Sequence, residues 1–311
     1  MKKLPIQILA FALITLTSET YGQGQKVIAH QNVVYGMISG MALLMDVYQP
    51  AKSNHLGIIY IPGSAYGMVD VYEREYNQVP LKDDYLLDTA YSGKWAHELV
   101  SKGYTVFVIN HRFTPAFHYP DIFYDCQRAV RFIRYNAKKY GIDPNHIGAM
   151  GHSSGAGLSS MLGVRDTVIK KTESPIDGMS SRVQAVVALA PAVFDFLDLV
   201  KNPDTIAARA FATDVTFHYV NASNDDQQDQ TVLPAKCIQA SPISYVTKDA
   251  ASFLIYYSDD DPIVPARQVP AMYRKLRDKG ATAKMVMRSK EGHEPRPDME
   301  EVEKWFQQNL K

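Results

Sequence analysis

Cysteine is scarce in this sequence: Cys126 and Cys237 are the only two among 311 residues. They leave open a single bridge or two buried free thiols, and neither alternative carries chemistry. C-x-x-C, H-E-x-x-H and G-x-x-x-x-G-K are all missing, so no metal and no organic cofactor is implied. Net charge is missing too. Lysine plus arginine number 33 and aspartate plus glutamate 33, which gives no basic field to gather nucleic acid and no acidic block. No internal repeat, low-complexity tract or linker divides the chain, and nothing specifies an oligomeric state. The expected partner is a small or neutral molecule.

What is present is ordinary globular composition, 46% hydrophobic and 21% charged, enough for a sizeable core. The first residues combine a basic start (Lys2, Lys3), an apolar stretch over 6–16 and small residues up to Gly22 and Gly24. This pattern predicts a secretory leader over 1–22 and a single mature domain over 23–311 that is secreted or periplasmic. The apolar stretch falls short of the ~20 residues a membrane span needs, so no stable span is expected after cleavage.

Strand-like runs recur at 26–34, 42–48, 56–61, 104–110, 146–150, 183–190, 252–257 and 284–288. Helix-length segments fall at 89–102, 121–139, 155–163, 268–279 and 298–310. In 121–139, Cys126, Ala129, Val130, Phe132 and Ile133 repeat at helical spacing while Arg128, Arg131 and Arg134 fill the other face. Gly103, Gly141 and Gly280 read as helix stops. Strands alternating with helices imply a mostly parallel sheet covered on both faces, with ligands at the carboxyl ends of the strands. The polar stretch 221–231 lies in a less regular segment, roughly 194–242, expected to insert over the sheet.

One of those strand ends reads GHSSGAG, residues 151–157. Gly151, Ser153 and Gly155 form G-x-S-x-G between a strand and a helix, the context of a strained nucleophile elbow. Ser154 lacks the flanking glycines. A serine hydroxyl needs a base, and His293, in the loop after the last strand, is favoured over His152, whose ring should point away from its neighbour. His111 and His118 read as loop or packing residues. The acid that orients the base is expected after the penultimate strand, where Asp259, Asp260 and Asp261 follow one another; Asp261 is preferred because it directly precedes P-I-V-P. An oxyanion hole would use the backbone N–H of Ser154 and N–H groups of the loop PGSAYG, 62–67.

DVYQP (46–50), IIYIPGSAYG (58–67), INHRFTP (109–115), YGIDPNHIGAMGHSSGAG (140–157), ASPISYV (240–246) and YSDDDPIVP (257–265) together resemble the carboxylesterase branch of the α/β-hydrolase superfamily. That branch includes hormone-sensitive-lipase-like esterases and secreted esterases of acetylated or feruloylated polysaccharides. The resemblance covers nearly the whole mature chain. It implies an eight-stranded, mostly parallel sheet with helices on both faces and a small cap-like insertion. It also implies Ser153 as nucleophile, Asp261 as acid and His293 as base, with Ser64 and Ala65 joining Ser154 as oxyanion donors. The reaction it implies is hydrolysis of short-chain or aromatic carboxylic esters, on a small molecule or acylated saccharide. The rival activities are an amidase or peptidase of the aryl-formamidase kind and a weak, hydrolase-fold binding protein. The chain departs from the family at 62–65, where Pro62 replaces a histidine and Ser64 and Ala65 replace glycines; positive φ there would strain them. Tyr66 and His152 are expected near substrate, and Tyr72, Tyr76, Tyr85 and Tyr91 extend an aromatic loop behind Tyr66.

Overall fold

The computed structural model describes residues 17–21, 25–67, 94–167, 174–191 and 193–310. Most of the expected leader and the tyrosine-bearing loop 68–93 lie outside the described residues.

Runs such as GIIYI, TVFVI and AVVAL have no polar face, and they become the fully buried strands β4 (Gly57–Ile61), β5 (Thr105–Ile109) and β7 (Ala185–Leu189). A strand covered on both sides has no use for alternation. With β6 (Ile147–His152), β8 (Ser252–Ser258) and β9 (Ala283–Arg288) they form a parallel block. The hairpin β2 (Gln25–Ile38) and β3 (Met41–Pro50) joins it antiparallel through β5. The eight expected strands are therefore present. A ninth, β1 (Thr17–Tyr21), lies inside the expected leader and pairs only with β2, completing the order β1-β2-β3-β5-β4-β6-β7-β8-β9.

Successive strand residues serve two cores. Ile59, Ile61, Phe107, Ile109, Val186 and Ala188 face α2 (Asp121–Tyr135) and α3 (Ser154–Val164). Ile58, Tyr60, Val106, Val108, Val187 and Leu189 face α1 (Lys94–Ser101) and the C-terminal Met299–Asn309 helix. The expected stripe on α2 packs inward, and Gly103, Gly141 and Gly280 all take positive φ. Arg131 and Arg134, on the other face of α2, donate to the carbonyls of Met179 and Pro144.

Residues 194–242 are helical rather than irregular, with α4 (Phe196–Lys201) and α5 (Val232–Ala240) among their elements. Phe194, Phe196, Leu199, Tyr219, Leu233 and Cys237 extend the first core into this insertion. Even the polar stretch holds a turn of helix, Asn224–Gln228, closed by reciprocal bonds between Ser223 and Asp226. Cys126 and Cys237 are buried free thiols.

Candidate active site

The chain turns from β6 into α3 at Ser153, which has φ 51° and ψ −125°. A non-glycine residue held there costs on the order of 1–3 kcal/mol. Its N–H donates to the Leu189 carbonyl at 3.0 Å, and its own carbonyl accepts from Gly157 at 3.1 Å. Both flanking glycines are forced by space. A Cβ on Gly151 would stand 2.4 Å from the Gly155 carbonyl oxygen, and one on Gly155 would stand 2.0 Å from that of Ile61. The hydroxyl sits at the amino end of α3, where the helix favours negative charge.

His293 lies in the loop after β9. Its Nε2 is 2.8 Å from Ser153 Oγ, and its Nδ1 is 2.7 Å from Asp261 Oδ2. Asp261 is fixed in turn, because its other oxygen accepts from the N–H groups of Ile263 (2.8 Å) and Val264 (3.0 Å). The three consecutive aspartates thus divide. Asp259 accepts from Ser289 Oγ and the Lys290 N–H at 3.2 and 3.1 Å, and Asp260 accepts from the Gly292 N–H at 2.9 Å. These two hold the backbone that carries His293, and only the third faces the imidazole.

His152, expected near substrate, is 4% exposed and packs beneath His293. Its Nε2 lies 3.1 Å from the His293 carbonyl oxygen and 3.2 Å from a Glu294 carboxylate oxygen. The ring therefore secures the backbone of His293. Glu294 had no sequence signal, since a loop glutamate looks like any solvated acid. His111 and His118 are, as expected, bound within loops, to the carbonyls of Arg112 and His218; burial lowers the pKa of His111.

The loop after β4 differs most from expectation. The Ser64 N–H donates to Ser154 Oγ at 3.0 Å, so it is committed to the elbow rather than presented to a ligand. The Ser64 hydroxyl accepts from the Gly67 N–H at 3.1 Å. Among the described residues, the N–H groups of Ala65 and Ser154 have no protein acceptor. The left-handed backbone begins here: Ala65, Tyr66 and Gly67 have φ of 47°, 60° and 99°. Ala65 is therefore strained, whereas Ser64 is not in that region. Gly63 is required by crowding, since a Cβ would meet His152 Nδ1 at 2.8 Å.

Tyr66, expected near substrate, is buried against the insertion. It is 1% exposed and stacks on Tyr219 of the insertion with ring centroids 3.8 Å apart. Burial pushes its hydroxyl well above the ordinary tyrosine pKa. Its carbonyl accepts from Thr114 N (3.0 Å) and Oγ1 (3.1 Å). Arg112 braces that neighbouring loop through a buried two-pronged bond to Asp125, with Nε–Oδ2 and Nη2–Oδ1 both 2.9 Å. A directed serine, an oriented imidazole and two unengaged N–H groups beside them form an arrangement suited to attack on a carbonyl.

The sheet order and the elbow define this protein as an α/β-hydrolase. More particularly, a family model described as BD-FAE matches residues 45–276, and the chain belongs to that family. The match contains Ser153 and Asp261, while His293 lies beyond it. Esterase LipQ of Mycobacterium tuberculosis is 30% identical over 240 residues, covering 72% of this chain and 53% of LipQ. Esterase LipC of the same organism is 26% identical over 222 residues, covering 68% and 52%. The chain thus spans about half the length of these curated relatives. A solved structure titled as a truncated form of a carbohydrate esterase from gut microbiota superposes with a TM-score of 0.70 at 25% identity, over 95% of this chain and 99% of that one.

Proposed function

We propose that this protein is a serine esterase acting through an acyl-enzyme. Ser153 attacks the ester carbonyl as His293 takes its proton; the alkoxide then leaves with that proton, and water repeats the sequence to release the acid. Asp261 holds the imidazole in the tautomer that accepts at Nε2 and stabilises the imidazolium. The N–H groups of Ala65 and Ser154 receive the oxyanion, with Ser64 fixing the loop that carries the first of them. The observation that carries this reading is the unbroken chain from Ser153 Oγ through His293 to Asp261, at 2.8 and 2.7 Å.

The substrate reading is a short-chain or aromatic acyl ester on a carbohydrate, supported by likeness to a carbohydrate esterase and to named esterases. The leader-like start supports a secreted or periplasmic protein. The test combines fluorophosphonate labelling with rates on nitrophenyl acetate, acetylated xylan, feruloyl esters and matching anilides. A phosphonate adduct on Ser153 and ester turnover are expected. Anilide turnover exceeding ester turnover replaces the esterase by an amidase, and a folded protein that takes no label is a binding protein.

A further inference from the structure

A pocket of about 300 Å³ opens between the start of α2, the end of α3 and the insertion, and none of the residues discussed as catalytic lines it. Arg165, the residue that caps the end of α3, lines it. The guanidinium carbon stands 4.6 Å over the Tyr245 ring, and Nη1 donates to the Tyr119 hydroxyl. The backbone beneath is pinned at both ends, by the Arg165 N–H to the Met161 carbonyl at 2.9 Å and by Gln127 Nε2 to the Arg165 carbonyl at 3.3 Å. This arginine is therefore held in one orientation, which lowers the entropy lost when it binds.

Its charge is unanswered among the described residues. The adjacent Asp166 accepts from Ser180 and Ser181 instead. The other cation of the pocket, Lys236, is already paired with Asp226 at 2.7 Å. One unpaired guanidinium calls for one negative charge, and its planar donor edge matches a carboxylate. The mouth adds Tyr124, 43% exposed, and the amides of Asn221 and Gln239. An aromatic face beside scattered polar groups suits a ring rather than a bare ion.

We propose that this pocket binds a ring bearing a carboxylate, with the carboxylate on Arg165 and the ring against Tyr124. Two sources share that chemistry: a sugar acid within a polysaccharide, and an aromatic acid of the kind an ester hydrolase releases. The pocket also touches the catalytic framework. Tyr119 packs edge-on against Tyr219, with centroids 5.9 Å apart, and Tyr219 stacks on Tyr66 in the loop of Ala65. Binding of the acid does not rest on the esterase reading; only the assignment of an aromatic acid to a released product does.

Calorimetric titration of the full chain with glucuronate, benzoate and their neutral counterparts glucose and benzyl alcohol tests it. At least one acid should bind about tenfold or more tightly than its neutral counterpart, as a charge-assisted pair requires. Arg165→Gln should bring that acid down to the neutral level, and Tyr124→Ala, a change at an exposed ring, should weaken it several-fold if the arginine variant fails to fold. Preference for glucuronate identifies the polysaccharide source, and preference for benzoate the product source. The proposal is overturned if acids and neutral compounds bind alike, if no acid binds by about 10 mM, if neither variant weakens binding, or if phosphonylation of Ser153 abolishes it and so places the ligand in the main site.

Discussion

Replacing Ser154 by alanine removes one oxygen atom and separates two roles that adjacent atoms of the same residue play. The Ser154 side chain is fully buried, and its Oγ accepts the Ser64 N–H at 3.0 Å, while its own N–H is a proposed oxyanion donor. Alanine keeps that N–H and the helix start. It strands the Ser64 N–H, which is buried too deeply to find water easily, and an unmet buried donor costs about 1–3 kcal/mol. In a chain of this size each kcal/mol lowers the melting temperature by about 2–4 °C. Losing an oxyanion donor costs roughly 100-fold to 1000-fold in kcat, so a donor that was never in use should cost far less. The expected result for Ser154→Ala is a clear fall in thermal midpoint by calorimetry, with kcat on nitrophenyl acetate within about tenfold of the parent. An unchanged midpoint together with a fall in kcat of about 100-fold or more refutes the reasoning, because the hydroxyl would then be acting on the reaction rather than holding Ser64.

Three other measurements test the site and the core around it. Ser153→Ala, His293→Ala and Asp261→Asn should each lower kcat by about 10⁴-fold or more, whereas Asp259→Asn and Asp260→Asn, which only loosen the loop under His293, should cost no more than about 100-fold; equal losses across all three aspartates would remove the distinction between them. Ala65→Gly relieves a residue at φ 47° and should stabilise the protein by about 1 kcal/mol, read as a rise in thermal midpoint; a lower midpoint would mean that the loop is not strained there. Burial pushes the Cys237 thiol up to about 12 and raises Cys126 well above its ordinary range, so neither should react with a thiol reagent at neutral pH until the protein is denatured, and a fast native reaction at either site contradicts the burial.

The elbow was legible in seven letters because its constraints are local: Gly151 and Gly155 are required by contacts across a single turn and with the adjoining strand end. The alternation of strands and helices was legible for a similar reason, as apolar periodicity reflects burial directly. The insertion was less so. Its short helices are held by Phe196, Tyr219 and Leu233 packing on the main core, and stretches that depend on distant packing show weak periodicity of their own. An aromatic such as Tyr66 beside a candidate oxyanion loop has two uses, and its stacking on Tyr219, a residue of the distant insertion, is not contained in the local sequence.

The sequence by itself therefore determined the sheet, the strained serine and the loops that converge on it. Tertiary structure decided which member of each local group faces the candidate site. Asp259, Asp260 and Asp261 are chemically identical neighbours, as are the N–H groups of Ser64 and Ala65, and they differ only in direction. That direction is set by partners 30 to 32 positions away for the aspartates and 90 away for Ser64, since a hydrogen bond depends on an angle and a distance that no run of adjacent residues contains.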